Sequence, residues 1–371
     1  MRRLLVIRLD NIGDVVLLSP SLRALRQALP QASITLMASP AGSQVAPLLP
    51  WVDDVIVHRA VWQDVSRNLP QRPEQEMALI EMLRQRNFDA AVIFTSFSQS
   101  PYPPAYVCYL AGIPLRLGQS PAFGGGILSD WIRPSRDEMH QAERNLFLLE
   151  SVGFPIHDRH LALQLPDGAQ ETADRLLHQR GINPEAPYIV IAPGASCPAR
   201  RYPAHQFAAA MRHLAAQTTL PLVVVGTERE QEKFQPILSQ AWGGQMVSLV
   251  GATTLPQLAA VIRRAHVVLA NNSGPLHIAD TFARPMVILY SGTEYESQWR
   301  PRRAPARLLR RPTSCSPCYA FHCPYQLECL DIPPQEVAEA VCSLLHAPAR
   351  AQIDTFFGIS DVAEFCVKRE T

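Results

Sequence analysis

Short apolar runs alternate with longer amphipathic stretches along most of the chain. Residues 4–9, 34–38, 54–58 and 90–94 are compact hydrophobic runs of strand length, and 15–29, 74–86 and 141–152 carry helical spacing. Residues 161–165 read either as a last strand or as the start of a connector. A helix over 171–180 and a turn-rich stretch at 181–187 lead into a second series. Its strands fall at 188–192, 222–226, 246–250, 266–270 and 286–290, with helices at 204–217, 228–241, 255–264 and 276–283. Residues 95–135 read as irregular loop around a short helix at 105–111, and 307–309 as a short strand. Strands alternating with helices predict parallel sheets. The expected architecture is α/β: two doubly wound domains facing a central cleft, over 1–165 and 166–347. A tail at 348–371 follows, whose Phe356, Phe357 and Phe365 favour packing.

Composition narrows the class. A chain of 371 residues with 47% hydrophobic and 18% charged residues has the profile of a globular protein. A net charge of +1 does not suggest bulk nucleic-acid binding. Asp10 and Asp14 interrupt the apolar start, so a strand and a helix start are expected there rather than a signal peptide. No apolar run approaches the roughly 20 residues of a spanning helix. The expectation is a cytoplasmic protein, with peripheral contact at the inner membrane left open.

Ligands in doubly wound sheets lie beyond the carboxyl ends of the strands, and the distinctive loops all follow strands. Asn271-Asn272-Ser273-Gly274-Pro275-Leu276-His277 joins an apolar run to a helix start. Ser273 suits an N-cap and Pro275 the first turn. Free amides and the helix dipole there attract an anion, with His277 as a further donor. In Asp10-Asn11-Ile12-Gly13-Asp14, Gly13 permits close backbone approach. Asp14 is either a first-turn capping residue or a general base. In the loop at 193–203, Ser196 makes a polar turn, and Arg200 and Arg201 either clamp a diphosphate or are solvated. Glu230 either accepts from a ribose hydroxyl or caps the helix it begins. His140 reads as a capping or packing residue more readily than a cleft residue. The arginines of 300–311 could meet anionic lipid or a phosphorylated acceptor, but a solvated loop is the simpler reading. Cys315, Cys318, Cys323 and Cys329 are compactly spaced: reduced thiols or a structural zinc or iron site. Cys197 has no evident activating base.

Together these motifs resemble glycosyltransferase family 9, the bacterial heptosyltransferases of lipopolysaccharide core synthesis. The resemblance rests on Leu5-Val6-Ile7-Arg8-Leu9-Asp10-Asn11-Ile12-Gly13-Asp14, on His140-x2-Glu143-Arg144-Asn145-Leu146, on the Asn-Ser-Gly-Pro-Leu-His turn and on the cysteine cluster. It implies a GT-B fold of two Rossmann-like domains, the second holding the donor. It implies inverting transfer from ADP-heptose to a sugar hydroxyl of a glycolipid or glycan acceptor, with Asp14 as base. It places Gly13, Ser196, Arg200, Glu230, Asn272, Ser273, Gly274 and His277 around the donor. Arg200 stands where the family often has lysine, and Asn272 where many members have aspartate, so another donor is a live alternative. No Asp-x-Asp motif lies beside the turn, and no obligatory metal in catalysis is expected. The competing readings are a GT-B sugar-nucleotide epimerase and a non-catalytic nucleotide-sugar-binding member.

Overall fold

A computed structural model describes residues 1–64, 69–97, 99–134 and 138–346; the tail expectation, with Phe356, Phe357 and Phe365, lies outside the described residues. The first half runs β1 (Arg3–Arg8), α1 (Ile12–Val16), α2 (Ser19–Ala28), β2 (Ser33–Ala38) and β3 (Asp54–Val57). It continues through α3 (Pro73–Arg86), β4 (Ala90–Ile93), α4 (Tyr102–Leu110), β5 (Leu115–Gln119), β6 (Asp130–Ile132) and α5 (Gln141–Glu150). The second half starts with α6 (Ala169–His178), β7 (Ile189–Ala192), α7 (Ala204–Ala215), β8 (Leu222–Val224), α8 (Gln235–Leu238) and β9 (Met246–Ser248). It ends with α9 (Leu255–Arg264), β10 (Val267–Asn271), α10 (Gly274–Thr281), β11 (Met286–Leu289), α11 (Glu296–Trp299), β12 (Ala306–Leu309) and α12 (Pro334–Leu345).

Each half builds a six-stranded sheet among the described residues, ordered β3-β2-β1-β4-β5-β6 and β12-β11-β10-β7-β8-β9. Read from β9, the second order repeats the first. All pairings are parallel, with Leu5 opposite Thr35 and Ala91, and Leu269 opposite Ile191 and Val287. Central strands covered by helices on both faces are apolar at successive positions, which is why β4, β7 and β11 are buried throughout. The strand order reverses between β1 and β4 and between β7 and β10, so each half opens a crevice there. One apolar cluster spans both halves, from Val6 and Val15 through Leu276 to Val190 and Val268.

The structure departs from the sequence expectations at definite places. The loop expected over 95–135 contains β5 and β6. Arg116 masked β5, but its guanidinium is buried, donates to the carbonyls of Ile127 and Pro114 at 2.6 and 2.9 Å, and lies over the Tyr109 ring. The helix expected over 228–241 is broken into 3₁₀ turns at Glu228–Glu230 and Glu232–Phe234 before α8, where Pro236 removes a donor. The helix expected over 15–29 splits at Leu17–Leu18, ahead of Pro20. Residues 161–165 form no strand; Gln164 instead donates to the Leu48 carbonyl at 2.9 Å.

Candidate active site

The first crevice is organised by a buried cation. Arg8 ends β1 with a fully buried side chain. Its Nε lies 2.9 Å from Asp10 Oδ2, and its Nη2 lies 2.8 Å from Asp14 Oδ1 and donates to Ser96 Oγ at 2.8 Å. Buried charge survives when it is paired and hydrogen-bonded, and here one guanidinium serves two carboxylates. Asp14 also accepts from the Asn11 backbone N–H at 3.2 Å, closing the start of α1. Capping and facing the cleft are therefore compatible for this residue. Gln99 donates to Asp10 from its side chain, and its own oxygen accepts from the Ser96 N–H at 2.9 Å. Burial and the neighbouring Asp14 push the Asp10 carboxyl up to about 6, against the pull of Arg8 and Gln99.

The second crevice begins where β10 ends. Asn271 is buried; its Oδ1 accepts from the Tyr202 N–H at 3.1 Å and its Nδ2 donates to the Pro193 carbonyl at 2.6 Å. It thereby ties down both ends of the loop at 193–202. Asn272 is buried beside the cavity. Ser273 is the N-cap of α10, but its hydroxyl makes no capping bond. That corrects the expected side-chain cap and leaves the first amides of α10 without it. His277 is buried, and burial pushes its imidazole down to about 4, so the ring is neutral near pH 7. A Cβ on Gly13 would stand 2.7 Å from His277 Cδ2, and one on Gly274 3.1 Å from Ile12 Cγ2. Glycine at both places lets the starts of α1 and α10 touch across the cleft.

The two arginines after β7 have different jobs. Arg200 donates from Nε to Thr293 Oγ1 at 3.1 Å and from Nη2 to Glu294, on the wall of a cavity of about 460 Å³. Arg201 turns back, donating to the carbonyls of Ala195 at 2.7 Å and Ser196 at 3.3 Å. Of the two, only Arg200 lines this cavity. The same cavity is lined by Asp10, Asp14, Ser196, Asn272, Ser273 and His277. Cys197 donates to the Phe321 carbonyl at 3.2 Å, and burial raises its thiol, which suits packing rather than attack.

A second cavity of about 470 Å³ adjoins it, walled by Ile12, Val225, Leu255 and Leu258 with Thr227 and Glu230 at its polar side. Glu230 caps its own turn, accepting from the Thr227 N–H at 2.9 Å and hydroxyl at 2.8 Å. Its other oxygen packs on Gly194, where a Cβ would stand 2.2 Å away.

The remaining candidates are structural. His140 caps α5, accepting at Nδ1 from the Ala142 N–H at 3.2 Å, while Nε2 meets the Arg300 carbonyl at 3.0 Å. Burial and the positive charge of Arg302 push it down to about 3. Arg302, from the arginine-rich segment, pairs with Glu143 and donates to the Arg159 carbonyl at 2.8 Å. The four clustered cysteines are free and half-buried. Among the described residues no three histidine, cysteine, aspartate or glutamate side chains are placed to hold a metal ion. Burial and the neighbouring Cys323, Cys318 and Cys315 raise the Cys329 thiol. No helix of the described residues is long and apolar enough to cross a membrane.

Sequence reasoning missed Arg8, Asp10, Ser96, Gln99, Thr293 and Glu294. Arg8 carried a signal: a charged residue closing an apolar strand needs buried partners. Glu294 carried none, since only the β11–α11 turn brings it to Arg200.

Two Rossmann-like sheets sharing a cleft at their switch points define the GT-B fold, and the family of this chain makes it a nucleotide-sugar-dependent glycosyltransferase. The model of glycosyltransferase family 9 (heptosyltransferase) matches residues 76–328, and the chain belongs to this family. It is 27% identical to lipopolysaccharide heptosyltransferase 2 of Escherichia coli, over 92% of this chain and 98% of that protein. Among solved structures it is similar to a family 9 glycosyltransferase from Veillonella parvula, with a TM-score of 0.74 and 23% identity over 93% of this chain and 97% of that one. It is also similar to the ADP-heptose lipopolysaccharide heptosyltransferase II of E. coli, with a TM-score of 0.71 and 25% identity over 93% and 98%.

Proposed function

We propose that this chain moves a heptose from ADP-heptose to a sugar hydroxyl of a lipopolysaccharide-core acceptor, with inversion and with Asp14 as general base. The observation that carries the reading is the meeting of Asp14 and the α10 turn in one cavity, across the Gly13–His277 contact. The names of the E. coli relatives support the donor and the acceptor class. The first half, 1–165, takes the acceptor, and the second, 166–347, takes the donor. The adjoining apolar cavity suits the adenine, and Glu230 lies where a ribose hydroxyl can donate to it. A peripheral stay at the cytoplasmic face of the inner membrane would bring the enzyme to a glycolipid acceptor.

In this mechanism the acceptor oxygen attacks the anomeric carbon and its proton passes to Asp14. The bond from that carbon to the diphosphate oxygen breaks, and the electron pair leaves with ADP. Arg8 and Ser96 hold Asp14 in place. The positive end of the α10 dipole, Arg200 and the neutral His277 ring stabilise the charge as it develops. Both reactants are oriented in one cleft, which supplies much of the acceleration. Asp14→Asn tests the reading with purified ADP-heptose and a truncated core acceptor. Turnover should fall by at least about a hundredfold while ADP affinity stays. Full turnover would remove Asp14 as base.

A further inference from the structure

The carboxylate proposed to take the acceptor's proton sits against a buried cation: Asp14 Oδ1 lies 2.8 Å from Arg8 Nη2. A cation in a dry site favours the charged form of any carboxylate beside it and so opposes proton uptake. Taken alone, the pair would fix Asp14 and work against its chemistry. The same guanidinium has a second carboxylate. Arg8 Nε lies 2.9 Å from Asp10 Oδ2, close but without the alignment of a hydrogen bond, so the contact is chiefly one of charge. The Arg8, Asp10 and Asp14 side chains are 0%, 8% and 14% exposed, and water screens them little. Asp10 is held from its other side. The Gln99 amide donates to its Oδ1, and Ser39 Oγ donates to its backbone carbonyl at 2.5 Å.

The charge balance of this trio decides what Asp10 does. With both carboxylates ionised the trio is a net anion, and a proton arriving on Asp14 makes it neutral. With Asp10 uncharged the trio starts neutral, and the same proton leaves a buried cation without a counter-charge, which is costly. We infer that Asp10 is a positioning residue acting through Arg8: its negative charge offsets the guanidinium and lets Asp14 take the acceptor's proton. The inference rests on the proposed role of Asp14 as base and deepens it. Arg8 faces Asp10 from β1, Asp14 from α1 and Gln99 from the loop after β4. Asp64, His277, Arg200 and Glu294 are the other ionisable groups on the cavity wall, and all of them remain when Asp10 is replaced. Burial raises the Asp10 carboxyl to about 6 against the pull of Arg8, and Asp14 adds to the rise. Asp10 is therefore charged at about pH 7.5 and largely neutral at about pH 5.

The test is kcat/KM of the full chain with ADP-heptose and a truncated core acceptor, for wild type, Asp10→Asn and Asp10→Ser, across about pH 5 to about pH 7.5. The readout is the ratio of wild type to variant, which cancels titrations that the chains share. At about pH 7.5 both variants should be slower by about tenfold, a smaller loss than that of Asp14→Asn. Wild-type Asp10 is itself neutralised toward the acid end, so with a midpoint of about 6 the gap should shrink to about twofold at about pH 5. ADP affinity should stay unchanged in both variants, which also reports that each is folded. A gap of the same size at every pH overturns the inference, since a purely structural defect follows no titration of Asp10. Wild-type rates in both variants at about pH 7.5 overturn it too, as does loss of ADP affinity in step with the rate. Each of these results leaves the proposed function standing if Asp14→Asn is inactive. Full turnover in Asp14→Asn removes the base, and the role of Asp10 with it.

Discussion

Replacing Asp10 by asparagine tests the reading of the buried charge network. The carboxyl of Asp10 is raised from 3.8 to about 6, chiefly by burial. The native state therefore holds a proton there that the unfolded chain releases. Stability from this group is fully present below about pH 4 and is lost as pH rises toward about 6. A shift of about two units corresponds to about 3 kcal/mol, of which about 2 kcal/mol falls between about pH 4.5 and about pH 7.5. The variant has its own defect, since one face of the new amide must present N–H to Arg8 or Gln99, both donors, at about 1–2 kcal/mol. That defect does not depend on pH, so the gap between variant and wild type isolates the titration. His277 runs the other way: lowered from 6.5 to about 4, it makes stability fall as pH drops through that window. The two slopes oppose each other in the wild type, and the substitution unmasks the second. Thermal melts at the two pH values should show the variant gaining on wild type by about 2 kcal/mol, or about 4 °C, from the lower to the higher pH. A gap identical at both pH values would refute the assignment of a raised carboxyl to Asp10.

Other outcomes follow from single contacts. Gly13→Ala puts a methyl 2.7 Å from His277 Cδ2; prying α1 from α10 should lower kcat at least about tenfold, with about 1–3 kcal/mol lost by denaturant titration. His277→Gln keeps a donor but cannot ionise, so, made in the Asp10→Asn background, it should remove the unmasked fall in stability from about pH 6.5 to about pH 4, read by the same melts. Glu143→Gln weakens the pairs with Arg159 and Arg302; it should lower stability by about 1 kcal/mol and speed amide exchange at 302–304 before the rest of the chain.

What was legible in the sequence was whatever a local pattern encodes. Residues 266–270 read as a strand because they are apolar throughout, and Ser273-Gly274-Pro275 marked the helix start after it. Asp14 was legible as a residue, but nothing local says that it can cap and face the cleft at once; that follows from Asn11 and Arg8 sharing its two oxygens. β5 was hidden because Arg116 sits inside it, and no local rule says that three carbonyls and a tyrosine ring await that guanidinium. Arg200 and Arg201 are adjacent and chemically identical, yet one lines the cavity and the other binds its own loop. The difference is made by Thr293 and Glu294, more than ninety residues away in the chain.

The cleft is fixed at both ends of one helix. At the start of α10, His277 rests on Gly13 and Gly274 on Ile12, so the first half sets where the turn stands. Near its end, buried Asp280 accepts from the backbone N–H groups of Arg302, Arg303 and Ala304 at 2.9, 2.8 and 2.9 Å. Arg302 carries that grip back to the first half through Glu143 and the Arg159 carbonyl, and the Arg300 carbonyl does so through His140. The helix is thus a strut held by the first half at two separate places. A rotation that opened the cavity at Gly13 would turn about the Asp280 end, where charge-assisted bonds resist displacement more strongly than the apolar contact of glycine and imidazole. Opening for substrate entry is therefore expected to begin at the Gly13–His277 contact, with the His140 and Glu143 fastening as the pivot. That order matches the chemistry, because the end that parts is the end where donor and acceptor must enter.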